Sequence, residues 1–182
     1  MIIGITGRTC SGKSMAIEIL KSKFTFQLFD LDQIGHELLN QDEIKNQLIK
    51  AFGKSILDKQ QIVRTELAKI VFKDSKKLLE LNQIVHPKIK QYVLDRIHDN
   101  KTTVICGSLI KEIGLENACD SIIVIDAEDK LITEKHKFAL ISKYQRTREA
   151  YLQEADIVII NNFDASFESK LLEIYLNLDS PD

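Results

Sequence analysis

Apolar positions along this chain follow two rhythms. Short unbroken apolar runs, rich in Ile, Val and Thr, alternate with stretches where apolar residues return every three or four positions. The first run, Met1 to Thr6, is too short for a helix and ends at Gly7, so it predicts a buried strand. Thr25 to Asp30 (TFQLFD), Thr102 to Cys106 (TTVIC), Ser121 to Asp126 (SIIVID) and Asp156 to Ile160 (DIVII) predict further strands of the same kind. A helix is expected from Lys13 to Ser22, with Met15, Ile19 and Leu20 on one face, and a last amphipathic helix over Phe167 to Leu176.

Residues 32–100 read as almost continuous helix. Ile34, Leu38 and Leu39, then Leu48, Ile49 and Phe52, then Leu67, Ile70 and Val71, then Leu78, Leu81, Ile84 and Val85 keep the helical spacing, with Gly53 and Pro87 as punctuation. A helical stretch this long between two strands is an insertion rather than a simple crossover. The expected fold is α/β: a three-layer α/β/α core with a five-stranded parallel sheet from residues 1–31 and 101–182, and a helical insertion over 32–100.

Composition narrows the class. With 182 residues, 44% of them hydrophobic, the chain suits one domain, or one domain with an insertion. A formal net charge of -2 gives no support for broad nucleic-acid or membrane-surface binding. No apolar run approaches the length of a membrane span, and the first residues read as a strand rather than a signal peptide. Cys10, Cys106 and Cys119 are few and far apart, which fits reduced thiols in a cytoplasmic protein. A monomer is expected.

The chemistry begins at Gly7-Arg8-Thr9-Cys10-Ser11-Gly12-Lys13-Ser14, which matches G-x-x-x-x-G-K-[ST]. Such a loop wraps phosphate with inward-pointing backbone N–H groups, and Gly7 and Gly12 permit the dihedrals and the close approach. The helix that follows adds its positive dipole end. Lys13 can reach the β- and γ-phosphates of ATP, and the Ser14 hydroxyl can ligate Mg²⁺. Gly7, Thr9, Cys10, Ser11, Gly12, Lys13, Ser14 and Met15 are therefore the expected nucleotide-binding residues. The pattern also occurs by chance in glycine-containing turns, but a strand before it and an amphipathic helix after it are the context the motif requires. Cys10 lies in the loop, where a helix N-terminus can lower a thiol's pKa; a small tolerated side chain is the plainer explanation.

Asp30 and Asp32 flank the end of the second strand in FDLDQIGHELL. The carboxyl ends of strands line the ligand crevice in open α/β sheets, so Asp32 is a candidate to take a proton from an attacking hydroxyl or to hold the metal's water shell. A helix cap is the competing role for either aspartate. His36 lies one turn beyond Asp32. Between Lys130 and Arg148 basic residues accumulate (Lys130, Lys135, Lys137, Lys143, Arg146 and Arg148) against a single acid, Glu134, inside that interval's core. A basic lid over the triphosphate, approximately residues 130–150, is one reading and a solvated helix face the other; Arg148 is the best single candidate, because an arginine fork suits phosphate oxygens.

Taken together these residues resemble the dephospho-coenzyme A kinase family over nearly the whole chain. The resemblance runs through the phosphate loop, FDLDQIGHELL, Ala51-Phe52-Gly53, Arg64, Leu67, Ile70-Val71-Phe72, the His86-Pro87 pair in IVHPKI, and Gln145, Arg148, Ala155, Asp156 and Asn161 at the family's Q-x-x-R…AD…N spacing. It implies transfer of the ATP γ-phosphoryl group to the ribose 3′-hydroxyl of dephospho-coenzyme A. It also implies Asp32 as catalytic carboxylate beside Lys13, Arg148 as a lid arginine, and residues 32–100, with Asp32, His36 and His86, as the acceptor side. The chain departs from the family at several positions. Cys106 and Ser108 stand where an Asp and a Pro are usual, the stretch from Asp126 to Gln145 is shorter, lysine (Lys135 or Lys137) replaces a lid arginine, and Tyr151 replaces another arginine. Because fold does not fix substrate, another small-molecule or nucleoside monophosphate kinase is one alternative; a nucleotide-binding regulator with weakened catalysis is the one that Cys106 and the short lid raise.

Overall fold

The computed structural model describes residues 1–98, 100–133 and 145–179. Lys135, Lys137, Lys143 and Glu134, and with them most of the expected lid, lie outside the described residues. The chain divides into two compact units, Met1–Asp30 with Ile97–Asp182, and Leu31–Arg96.

In the first unit, five parallel strands form one sheet: β1 (Ile2–Thr6), β2 (Gln27–Asp30), β5 (Thr103–Cys106), β6 (Ser121–Asp126) and β7 (Ile157–Ile160), in the order β2-β5-β1-β6-β7. β1 therefore lies at the centre, with β5 and β6 as its neighbours, and the chain order reverses around it. That is the switch point at which open α/β sheets bind ligands. The central strands are buried along their length, which explains their unbroken apolar sequences; the edge strands β2 and β7 are less so.

Side-chain alternation sorts the strand residues into two faces. Ile3, Ile5, Val104, Cys106, Ile123, Ile125 and Ile159 share one core with α1 (Lys13–Lys23) and the C-terminal helix. Ile122 and Val124 point the other way, onto Tyr151. The result is the three-layer α/β/α arrangement expected. On α1 the buried face is Ala16, Ile17 and Leu20, while Met15 is 40% exposed, so the face assigned to Met15, Ile19 and Leu20 is corrected by a small rotation: Ala16 is small enough to bring the helix against the sheet. The C-terminal helix Ala165–Asp179 buries Phe167, Leu171 and Tyr175 at a four-residue spacing, each contributing about 1.5–3 kcal/mol of burial.

The second unit is helical but not continuously so. It contains α2 (Leu31–Leu38), α3 (Asp42–Phe52), α4 (Arg64–Val71) and α5 (Ser75–Leu94), with α5 packed on the other three. Gly35 lets α2 approach α5 closely: a Cβ there would lie 3.3 Å from Ile89 Cδ1. Two features correct the sequence expectation. A two-stranded antiparallel hairpin, β3 (Leu57–Asp58) and β4 (Gln61–Ile62), interrupts the helices. Its turn residues Lys59 and Gln60 both have positive φ, as a tight hairpin requires, but carry none of the Asn or Gly that announces such a turn. Asn40 braces it by accepting a hydrogen bond from the Ile62 N–H at 2.8 Å. Pro87, by contrast, lies inside α5 and does not end it. Val85, Ile89 and Val93 anchor both halves of α5, and their burial offsets the cost of the missing hydrogen bond, about 3 kcal/mol. Gly53 does terminate α3, at φ +85°.

Candidate active site

The phosphate loop links the end of β1 to the start of α1. Gly7 (φ 141°), Cys10 (φ 66°) and Gly12 (φ 110°) take left-handed or otherwise positive dihedrals, and these turn the chain back over itself within a few residues. Neither glycine can be replaced by geometry alone. A Cβ on Gly7 would run into the carbonyl of Ile125 on β6, and one on Gly12 into the side-chain amide of Asn161. Asn161, fully buried just after β7, holds the loop from behind. It donates to the Ser11 carbonyl at 3.0 Å, accepts from the Phe163 N–H at 2.8 Å, and its own N–H reaches the Asp126 carbonyl at 2.7 Å.

Lys13 opens α1 and folds its ammonium back over the loop, donating to the carbonyls of Gly7 and Arg8, both at 2.9 Å. The ammonium thereby lies against the first half of the loop, where a P-loop lysine meets the β- and γ-phosphates. Ser14 and Met15 follow on the exposed side of the helix's first turn, and Thr9 and Cys10 are half-buried.

A second layer of charge lies beside the loop. Asp126, at the C-terminal end of β6 and 3% exposed, receives two guanidiniums. Arg148, which begins the short helix Arg148–Leu152, engages it through Nε (2.9 Å) and Nη2 (2.5 Å). Arg8 reaches it at 3.4 Å and also binds the Ala127 carbonyl at 2.7 Å and the Asp129 carboxylate at 2.5 Å. A buried carboxylate is tolerated here because two cations share it. The hydrogen bonds that Arg148 donates to Asp126 raise the Arg148 pKa further, and the Arg8 guanidinium holds the exposed Asp129 carboxyl below the usual aspartate range.

Thr9 and Gln145 form a reciprocal pair. The Thr9 N–H donates to Gln145 Oε1 at 2.9 Å, and Gln145 Nε2 donates to Thr9 Oγ1 at 2.6 Å. Arg146 is bound by Glu154 through both terminal nitrogens at 2.5 Å, lies 4.5 Å from the centre of the Tyr151 ring, and approaches Glu112 at 3.3 Å. The expectation that the basic segment faces little opposing charge is therefore corrected for its described end. The counter-charges Asp126, Glu112 and Glu154 come from other parts of the chain, or from the following turn. Burial pushes the Tyr151 hydroxyl up to about 12, and that hydroxyl donates to the Ser108 carbonyl at 2.9 Å. The departures at positions 108 and 151 are thus in direct contact. Cys106, the third departure, is 6% exposed and packs in the sheet's core, where a thiol acts as a small apolar group.

The structure brings Gly7, Thr9, Cys10, Ser11, Gly12, Lys13, Ser14, Met15 and Arg148 together within the first unit. Asp32, His36 and His86 belong to the second. Asp32 and His36 are exposed one turn apart on α2, and His86 is half-buried on α5. Sequence reasoning missed Arg8 and Asp126. Arg8 occupies an unconstrained position of the motif. Asp126 carried a signal as the acid ending an apolar strand, but its partners lie far away in sequence. Among the described residues, no cluster of three or more His, Cys, Asp or Glu side chains could hold a metal ion, and no helix is long and apolar enough to cross a membrane.

Comparison with known proteins gives one answer. The family model for dephospho-CoA kinase (CoaE) matches residues 1–166. A dephospho-CoA kinase of Fusobacterium nucleatum is 36% identical, with 89% of this chain and 90% of that protein aligned. One from Borreliella burgdorferi is 31% identical over 95% of this chain and 91% of the relative. Among solved structures, the dephospho-CoA kinase from Campylobacter jejuni superposes with a TM-score of 0.74 at 27% identity, covering 97% of this chain and 96% of its own. With a phosphate loop at the switch point of a five-stranded parallel sheet and relatives aligned over nearly its whole length, the chain belongs to the dephospho-CoA kinase family.

Proposed function

We propose a division of labour among these residues for the family's reaction, ATP-dependent phosphorylation of dephospho-coenzyme A to coenzyme A. The observation that carries it is the loop itself, with its positive-φ turns, the buried Asn161 brace and the Lys13 ammonium seated over Gly7 and Arg8. Residues 7–15 cradle the triphosphate, with Lys13 on the β- and γ-phosphates. Asp126 occupies the Nε and Nη2 edge of Arg148, so the Nη1 edge is the one offered to phosphate oxygens as charge develops on the transferring group.

Asp32, on the second unit, accepts the proton of the ribose 3′-hydroxyl. The 3′-oxygen forms its bond to the γ-phosphorus as the bond to the bridging oxygen breaks, and ADP leaves. His36 and His86 contact the acceptor, and the helical unit as a whole is the acceptor side. The donor set fits Mg²⁺ carried in with the nucleotide. An exposed hydroxyl, Ser14, follows Lys13, and no protein cage is present among the described residues, which suits an ion that keeps most of its waters and binds substrate phosphates. Bound there, Mg²⁺ would neutralise phosphate charge, with Ser14 as its protein ligand. The reading is of a monomeric cytoplasmic enzyme whose three free thiols stay reduced.

A coupled ADP-release assay with dephospho-coenzyme A against a panel of nucleosides and monophosphates tests the acceptor; preferential turnover of another acceptor overturns it. Asp32→Asn is expected to keep ATP binding and lose kcat, and near-normal turnover in that variant removes Asp32 from the chemistry. Lys13→Ala is expected to lose both binding and rate.

A further inference from the structure

We propose that Gln145 is a positioning residue which makes the Thr9 hydroxyl a donor to the γ-phosphoryl group, and so lets the loop distinguish ATP from ADP. The inference rests on the phosphate-binding role given to the loop above.

The geometry of the pair fixes the direction of each proton. The Gln145 amide is held at both ends: its oxygen accepts from the Thr9 N–H, and its nitrogen donates to Thr9 Oγ1. A threonine hydroxyl has one proton to give. Since Oγ1 already accepts from an amide, its own proton is directed elsewhere. Thr9 is half-buried on the loop surface, so that proton is available to an acceptor entering the loop. A donor whose oxygen is itself accepting a hydrogen bond is polarised and binds an anion more strongly.

The pair also lies at a defined end of the loop. Lys13 Nζ is held by the carbonyls of Gly7 and Arg8, the two residues that precede Thr9. The ammonium that bridges the β- and γ-phosphates therefore lies against the two residues that lead into Thr9. Arg8, the residue before Thr9, is tied through Asp126 to Arg148, three residues after Gln145. Two consecutive loop residues are thus fastened to one short segment by an ionic bond and a neutral amide bond. Loss of Gln145 removes only the neutral one. The Thr9 hydroxyl is then free to turn its proton toward other acceptors, and the γ-phosphoryl group loses an oriented donor.

The test compares ATP with ADP, because ADP lacks the γ-phosphate but uses the rest of the loop. Gln145→Glu is nearly isosteric and still accepts from the Thr9 N–H, but it takes the Thr9 hydroxyl proton for itself. Thr9→Val removes the hydroxyl at constant shape. Each is expected to lower kcat about tenfold or more and to weaken binding of a non-hydrolysable ATP analogue, measured calorimetrically, while ADP binding stays within about twofold. The double variant is expected to be no worse than the poorer single one, because both remove the same contact. Thr9→Ser should recover discrimination that Thr9→Val loses. Equal loss of ATP-analogue and ADP binding would mean that Gln145 only shapes the loop, and unchanged discrimination in Gln145→Glu would equally overturn the proposal. The binding measurements need no acceptor, so they stand even if dephospho-coenzyme A proves not to be the substrate. Melting curves of each variant confirm that it folds.

Discussion

Gly12 and Gly53 share a positive φ but differ in what surrounds them. At Gly53 nothing lies within 4 Å of an added Cβ, whereas at Gly12 the added atom would occupy the space of the Asn161 amide. Gly53→Ala is therefore expected to cost only backbone strain, about 1–3 kcal/mol at its positive φ and extended ψ, and to leave ATP binding intact. Gly12→Ala adds a steric conflict to that strain and should displace Asn161 from the Ser11 carbonyl, lowering both the melting temperature and ATP affinity. Thermal melts and ATP titrations of the two variants distinguish a strained turn from a strained turn with a neighbour. The two glycines were equally visible as letters. The motif gave Gly12 its importance, but the reason for it, an amide arriving from residue 161, depends on a contact nearly the length of the chain away. The same holds for Arg8 and Asp126: the strand-end acid could be read, its two arginine partners could not.

Elements rather than residues decide how the segment from Gln145 onward is fastened. Arg146 stands just before the helix Arg148–Leu152, Glu154 just after it, and Lys111 and Glu112 on the short helix Ile110–Ile113. Lys111 meets Glu154 at 2.6 Å. Burial pulls the Glu154 carboxyl up, but the hydrogen bonds from Arg146 and Lys111 outweigh it and leave its pKa below the ordinary glutamate value. A lowered folded-state pKa contributes stability that is present above the unfolded value and is lost as pH falls through the folded one. Glu112 is shifted the other way, upward, chiefly by burial, so on acidification it takes its proton first. Glu154→Gln is accordingly expected to lower stability by about 1–2 kcal/mol at neutral pH. The gap from the wild type should close as pH falls through and below the ordinary glutamate range, followed by thermal melts across that range. A gap that persists unchanged in acid would show that the charge of Glu154 is not what matters. At this scale the periodic elements were legible because each buries a regular face. The β3–β4 hairpin was not, since Lys59 and Gln60 carry no turn signature, and the helix through Pro87 was not, since its stability comes from packing on three other helices.

At the scale of the molecule, the absence of a protein metal cage among the described residues bears on how the enzyme depends on metal. On the proposed reading Mg²⁺ would arrive with ATP and serve catalysis rather than folding, so chelation is expected to abolish turnover while leaving the melting temperature of the nucleotide-free protein unchanged; a fall in that melting temperature on chelation would point to a structural ion. The sequence by itself determined the strands, the parallel sheet and the loop. These depend on local rules, namely unbroken apolar runs for strands buried on both faces, and glycines spaced for a tight anion-binding turn. Tertiary structure alone decided which charges meet. Asp126 gathers Arg8 and Arg148, Gln145 pairs with Thr9, and Tyr151 reaches Ser108, across separations that no local pattern records. The physical reason is that a strand or a turn is specified by its own residues, whereas a hydrogen bond or ion pair is specified only once the sheet has brought distant chain segments to the same edge.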